Sequence, residues 1–155
     1  LMELAGSELN RSRRYGRKLS AILFDIDHFK QINDQFGHQA GDLALREITR
    51  LCRSSIRESD ILGRYGGDEF MIIAPETGEI ETMEIAERIR QKLEKHQITG
   101  KFGKMELTIS LGVVCYEPGM ALSLSEFILR ADQALYQAKN DGRNRTRCWR
   151  EALPE

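Results

Sequence analysis

The sequence predicts an α+β domain: one antiparallel or mixed sheet with packed helices, in a ferredoxin-like arrangement. Three observations predict it. Segments at residues 18–25, 61–65, 69–74 and 105–116 have strand lengths, and the last alternates Leu107, Ile109, Leu111 and Val113 with Thr108, Ser110 and Gly112. Longer stretches between them carry apolar residues at helical spacing. The resulting order of strand, helices, hairpin, helix, strand, helix and strand suits a single sheet with helices on one face.

The elements follow in order. Residues 2–15 read as a helix that begins without a capping residue, so the chain is expected to be cut from a longer protein. Residues 18–25 form the first strand, apolar at nearly every position and ending in Asp25-Ile26-Asp27. A short helix or turn covers 28–36 and breaks at Gly37, and Asp27 is expected to cap it. The next helix spans 40–57, with Leu45, Ile48, Cys52 and Ile56 on one face. Residues 61–65 and 69–74 make a hairpin around Gly66-Gly67, read as a tight primed turn in which glycine supplies positive φ. Helices at 79–96 and from Ser123 or Ser125 to Lys139 flank the strand at 105–116. Asp141-Gly142 stops the last helix, and 146–149 is a candidate edge strand.

Composition narrows the function. The chain has 155 residues, enough for one domain (residues 1–155) with a real core, and a net charge of −1, which gives no basic field for nucleic acid. The cluster Arg11, Arg13, Arg14, Arg17 and Lys18 reads as the solvated face of the first helix, since only Tyr15 interleaves with it. No apolar run is long enough to span a membrane, and no signal-peptide pattern opens the chain. Cys52, Cys115 and Cys148 fit neither a zinc spacing nor a disulfide framework. They are expected to be reduced, with Cys52 and Cys115 in the core, in a cytoplasmic domain whose full-length protein could still be membrane-anchored.

Two acidic clusters carry the chemistry. Arg64-Tyr65-Gly66-Gly67-Asp68-Glu69-Phe70 concentrates carboxylates beside bare backbone, where a divalent cation and a phosphate chain can approach. Asp25 ends an interior strand, where sheet proteins place their chemistry. If the first strand and the second hairpin strand are antiparallel neighbours, Asp25 and Asp68 meet. Two such carboxylates repel unless a cation such as Mg²⁺ or Mn²⁺ joins them.

Four ordered blocks are similar to one known family. They are Phe24-Asp25-Ile26-Asp27-His28-Phe29-Lys30-Gln31-Ile32-Asn33-Asp34, Phe36-Gly37-His38-Gln39-Ala40-Gly41-Asp42, the glycine heptad, and Ala138-Lys139-Asn140-Asp141-Gly142-Arg143-Asn144. With them the chain resembles the GGDEF family of diguanylate cyclases. The resemblance implies a fold like the adenylyl cyclase core and the polymerase palm. It implies a reaction that joins two GTP molecules into cyclic di-GMP with release of pyrophosphate. It also implies a homodimer, since each domain offers one half-site, and an upstream sensor or regulatory domain outside this chain. Neither nucleic acid nor a membrane is an expected partner of this domain.

The resemblance assigns roles residue by residue. Asp25, the carbonyl of Ile26, Asp68 and Glu69 hold metal, two Mg²⁺ or Mn²⁺ ions per half-site, and Asp68 and Glu69 are catalytic. Asn33 and Asp42 read guanine, which offers a carboxylate the N1–H and N2 donors that adenine lacks. Lys30, Lys139 and Arg143 hold the triphosphate beside Gly66 and Gly67. Arg57 and Asp60 match the family's Arg-x-x-Asp inhibition motif for cyclic di-GMP, with Arg88 as a third contributor. A rival reading is an inactive module of the same family that binds cyclic di-GMP or GTP and regulates an attached domain. The intact Gly66-Gly67-Asp68-Glu69-Phe70 favours the enzyme.

Overall fold

The computed structural model describes residues 1–152. In chain order it begins α1 (Met2–Tyr15), β1 (Leu19–Ile26), α2 (Phe29–Phe36), α3 (His38–Arg53), β2 (Ile61–Arg64) and β3 (Glu69–Pro75). It continues α4 (Glu79–Glu94), β4 (Gln97–Gly100), β5 (Gly103–Glu106), β6 (Ile109–Tyr116), α5 (Leu124–Asn140) and β7 (Thr146–Cys148). The main sheet has the order β2-β3-β1-β6-β7. Its pairs are antiparallel except β6 with β7, which is parallel. The mixed sheet with packed helices is the predicted class.

The helices cover both faces of that sheet, not one as the element order suggested. Ile22, Phe24 and Ile26 of β1 pack with Ile48 of α3 and Ile89 of α4. Leu19, Ala21 and Leu23 point the other way, to Leu9 of α1 and Phe127 of α5. Every residue of β1 is buried. A strand covered on both faces needs a near-continuous apolar run, which residues 19–24 provide with Ser20 alone polar and bonded to the Thr77 carbonyl. Each large side chain so buried contributes about 1.5–3 kcal/mol, and Phe24 also stacks on Phe70 with ring centroids 5.3 Å apart.

Gly112 sets how closely α5 approaches. A Cβ there would stand 2.2 Å from the Leu135 amide nitrogen and 2.3 Å from the Ala131 carbonyl oxygen. The bare backbone lets α5 lie directly on β6, which fixes where Lys139 on its last turn arrives.

Three local expectations are corrected. The run at 105–116 is not one strand: β5 pairs with β4 in a separate two-stranded sheet, and β6 starts at Ile109. Met105, Leu107 and Ile109 are all buried, so the apolar alternation runs through the break and hides it. The long helix ends at Arg53, not residue 57, because Ser54 and Ser55 donate their hydroxyls back to the Leu51 carbonyl at 2.8 Å each. The hairpin is not a two-residue primed turn. Residues 65–68 separate β2 from β3, the Tyr65 amide donates to the Glu69 carbonyl at 2.8 Å, and neither Gly66 nor Gly67 takes positive φ. What these glycines supply is absence of a side chain: a Cβ on Gly66 would lie 2.7 Å from Glu69 Oε2, and one on Gly67 would face open space.

Candidate active site

The sheet register brings the two acidic clusters together. β1 and β3 run antiparallel with Asp25 opposite Glu69, and the Ile26 amide donates to the Asp68 carbonyl at 3.3 Å. The Asp25 and Asp68 carboxylates lie close enough for each negative charge to bear on the other. Asp25 is only 9% exposed. Burial is the main cause that pushes its carboxyl up to about 6, with Asp68 adding in the same direction and Lys139 opposing. Lys139 Nζ donates to Asp25 Oδ2, while Oδ1 is buried without a hydrogen-bond partner. A buried carboxylate oxygen left unpaired costs about 1–3 kcal/mol. An unpaired oxygen beside a second carboxylate is a donor set that fits a hard divalent cation.

Glu69 does not join this pair. Its carboxylate lies over Gly66, and among the described residues no three His, Cys, Asp or Glu side chains gather as a metal cluster.

The remaining predicted substrate residues divide. Lys30, Asn33, Asp42, Gly67 and Asp68 line one cleft of about 470 Å³, together with Phe29 and Arg64. Asn33 sits on the last turn of α2 and Asp42 near the start of α3, joined through Gly37 at φ 89°. Gly41 makes their approach possible, since a Cβ there would meet Asn33 Oδ1 at 1.9 Å. Lys139 reaches the carboxylate pair from α5. Arg143, in the left-handed region at φ 63°, is exposed and is not among the cleft-lining residues.

Asp27 is not the cap of α2; that position is held by His28 without a side-chain cap bond. Asp27 instead accepts from Ser110 Oγ at 2.6 Å, Thr108 Oγ1 at 2.7 Å and the Asn144 amide at 3.0 Å. It ties the start of β6 and the loop after α5 to the end of β1. Its place directly after the end of a strand that pairs with two neighbours was the signal for this role. Arg64 was also underread: its Nε donates to the Gly66 and Gly67 carbonyls at 3.2 and 3.0 Å, bracing the loop from the first position of the heptad.

The second cluster lies between α3, β2 and α4. The Arg57 amide donates to Asp60 Oδ2 at 2.9 Å and the Asp60 amide to the Arg57 carbonyl at 3.1 Å, closing a turn. Asp60 Oδ1 is buried and unpaired. The Arg57 guanidinium pairs with Glu81 of α4, and Arg88 donates to the Ser55 carbonyl at 2.6 Å. Arg57 and Asp60 thus share one turn, and Arg88 reaches the residue two positions before it.

A family model described as diguanylate cyclase, GGDEF domain, matches residues 1–145. The chain belongs to this family. It is 40% identical over 147 residues to Diguanylate cyclase A of Treponema denticola, covering 95% of this chain and 39% of that protein. It is 40% identical over 147 residues to Diguanylate cyclase DosC of Escherichia coli, covering 94% and 32%. The chain therefore spans about a third of the length of these curated relatives. Among solved structures, the active GGEEF domain of a diguanylate cyclase from Vibrio cholerae superposes with a TM-score of 0.91 at 36% identity, covering 98% of this chain and 96% of that one. The GGDEF domain of DgcB from Caulobacter crescentus, in complex with c-di-GMP, gives 0.90 at 28% identity, covering 96% and 85%. The fold is that of GGDEF domains. No helix among the described residues is long and apolar enough to cross a membrane.

Proposed function

We propose that this GGDEF domain is a diguanylate cyclase half-site that condenses two GTP molecules into cyclic di-GMP, and that the product feeds back on it. The observation that carries the reading is the nearness of Asp25 to Asp68, which itself lines the cleft that holds Asn33 and Asp42. Asp42 and Asn33 bind the guanine edge, and an adenine there would leave their polar groups unpaired. Lys30 and Lys139, with Arg143 from the loop after α5, neutralise the triphosphate. Gly67 presents no side chain, so the phosphates can approach the backbone.

Each ribose 3′-hydroxyl attacks the α-phosphate of the opposing nucleotide, and the bond to the departing pyrophosphate breaks. Phosphoryl transfer of this kind asks mainly for positioning and charge stabilisation. Asp25, Asp68 and the Ile26 carbonyl are the groups that would hold Mg²⁺ or Mn²⁺, with Glu69 at a second ion, and such ions supply charge neutralisation and an acidified hydroxyl. Since one domain holds one GTP, turnover requires a homodimer, formed by an upstream regulatory domain. Arg57, Asp60 and Arg88 form the inhibitory product site, supported by the turn that Arg57 and Asp60 close and by Arg88 reaching the Ser55 carbonyl just before it.

The test is to fuse the domain to a dimeriser and supply GTP and Mg²⁺. Cyclic di-GMP and pyrophosphate should appear, and Asp68→Ala or Glu69→Ala should abolish both while leaving the fold intact. Parent-like turnover in either variant would remove the metal assignment. Binding of cyclic di-GMP without any turnover would make the domain a sensing module instead.

A further inference from the structure

We propose that Cys115 and Cys148 form an oxidisable dithiol, a site at which a low-molecular-weight disulfide of the glutathione type closes a reversible disulfide between β6 and β7. This inference rests on no part of the nucleotide reading.

The register places the two thiols together. Cys148 on β7 is opposite Val113 on β6, and Cys115 lies two residues further along the same strand. Both side chains therefore project to the face covered by α4, and both pack against that core. Both are half-buried and free. The two thiols are near enough to perturb each other's ionisation. Ser20 Oγ lies 3.0 Å from Cys115 Sγ, and Arg150 Nη1 lies 3.5 Å from Cys148 Sγ. Arg150 is itself paired with Glu79 at the start of α4. Cys148 is on a three-residue edge strand, so a small oxidant can reach it.

The surroundings separate the roles of the two sulfurs. The neighbouring Cys115 holds the Cys148 thiol below its ordinary value, with burial and the Glu79 charge opposing and Arg150 assisting. The Cys148 contact and burial hold Cys115 above its own. Cys148 is thus the attacking thiolate and Cys115 the resolving thiol. Cys52, alone in the α3 core, is pushed up to about 12 by burial and stays inert.

In the first step the Cys148 thiolate forms a bond to one sulfur of the oxidant's disulfide and expels the other as a thiolate. Cys115 then loses its proton to solvent and attacks the Cys148 sulfur, expelling the second low-molecular-weight thiolate. Two protein thiols are oxidised by two electrons, and one small disulfide is reduced to two thiols. The new bond ties the short edge strand to β6 and encloses α5, which carries Lys139.

The experiment equilibrates the metal-free protein in glutathione buffers of increasing oxidised fraction, quenches with an alkylating reagent and maps thiols by mass spectrometry. The expected result is an intramolecular link between Cys115 and Cys148, with Cys52 alkylated and the link reversed by excess reduced glutathione. Cys115→Ser should trap one glutathionyl group on Cys148, and Cys148→Ser should slow the first oxidation at least about tenfold. Cys148→Ala serves the same purpose if the serine variant does not fold. The proposal is overturned if the parent accumulates only stable glutathione adducts or intermolecular dimers. It is also overturned if parent and Cys148 variants oxidise at equal rates.

Discussion

Replacing Asp25 with asparagine should make the metal-free domain more stable at neutral pH than at acid pH, relative to the parent. Asp25 is buried, carries one unpaired oxygen and has the Asp68 carboxylate nearby, so its ionised form is the costly one. Its folded-state value of about 6 lies above the ordinary 3.8. The sign follows: the cost is absent below pH 3.8, grows as pH rises between the two values, and is complete above pH 6. The interval corresponds to roughly 3 kcal/mol when complete, of which about 2 kcal/mol develops between pH 4.5 and 7.5. The asparagine variant keeps the shape of the side chain and lacks this titration. Urea unfolding of both proteins in EDTA across that range reads the difference directly. The variant should gain about 2 kcal/mol on the parent as pH rises, even though it no longer supports synthesis. A stability difference that is flat with pH, or that falls as pH rises, would refute the reasoning.

Three further outcomes are expected. Gly41→Ala should displace the Asn33 carboxamide, which its Cβ would meet at 1.9 Å; KM for GTP should rise at least about tenfold with the melting temperature little changed, and a parent-like KM would show that Asn33 does not read the base. Asp27→Ala removes the acceptor of three hydrogen bonds and should cost about 2–4 kcal/mol in urea unfolding; a cost under about 0.5 kcal/mol would mean that this tie does not hold β6 to β1. Arg57→Ala and Asp60→Ala should each weaken inhibition by cyclic di-GMP about tenfold or more in a product titration, and unchanged affinity would discard that site.

Much of this was legible in the residues because local patterns and long-range placement agreed. The Asp25–Asp68 meeting followed from one antiparallel pairing, and an apolar run ending in an aspartate was enough to place it. The shared cleft of Asn33 and Asp42 was legible from their blocks, but the role of Gly41 was not, since nothing local says that a helix backbone must admit a neighbouring amide. The second sheet was hidden because β5 and β6 share one unbroken apolar alternation. Helices on both faces were implied by the composition of residues 19–24, yet element order alone does not choose a face. The loop at Gly66-Gly67 shows the same limit: glycine pairs usually serve positive φ, whereas here Gly66 clears space for Glu69 and Gly67 faces open space. Asp27 was misplaced because its sequence position suited a cap, while its three partners come from residues 108–144, distant in the chain.

The central claim is that Asp25 and Asp68 grip a divalent cation together. Electron paramagnetic resonance titration of Mn²⁺, in the presence of a non-reacting GTP analogue, tests it in the parent, Asp25→Asn and Asp68→Asn proteins. Each variant should bind Mn²⁺ at least about tenfold more weakly, and parent-like affinity in both would contradict the account.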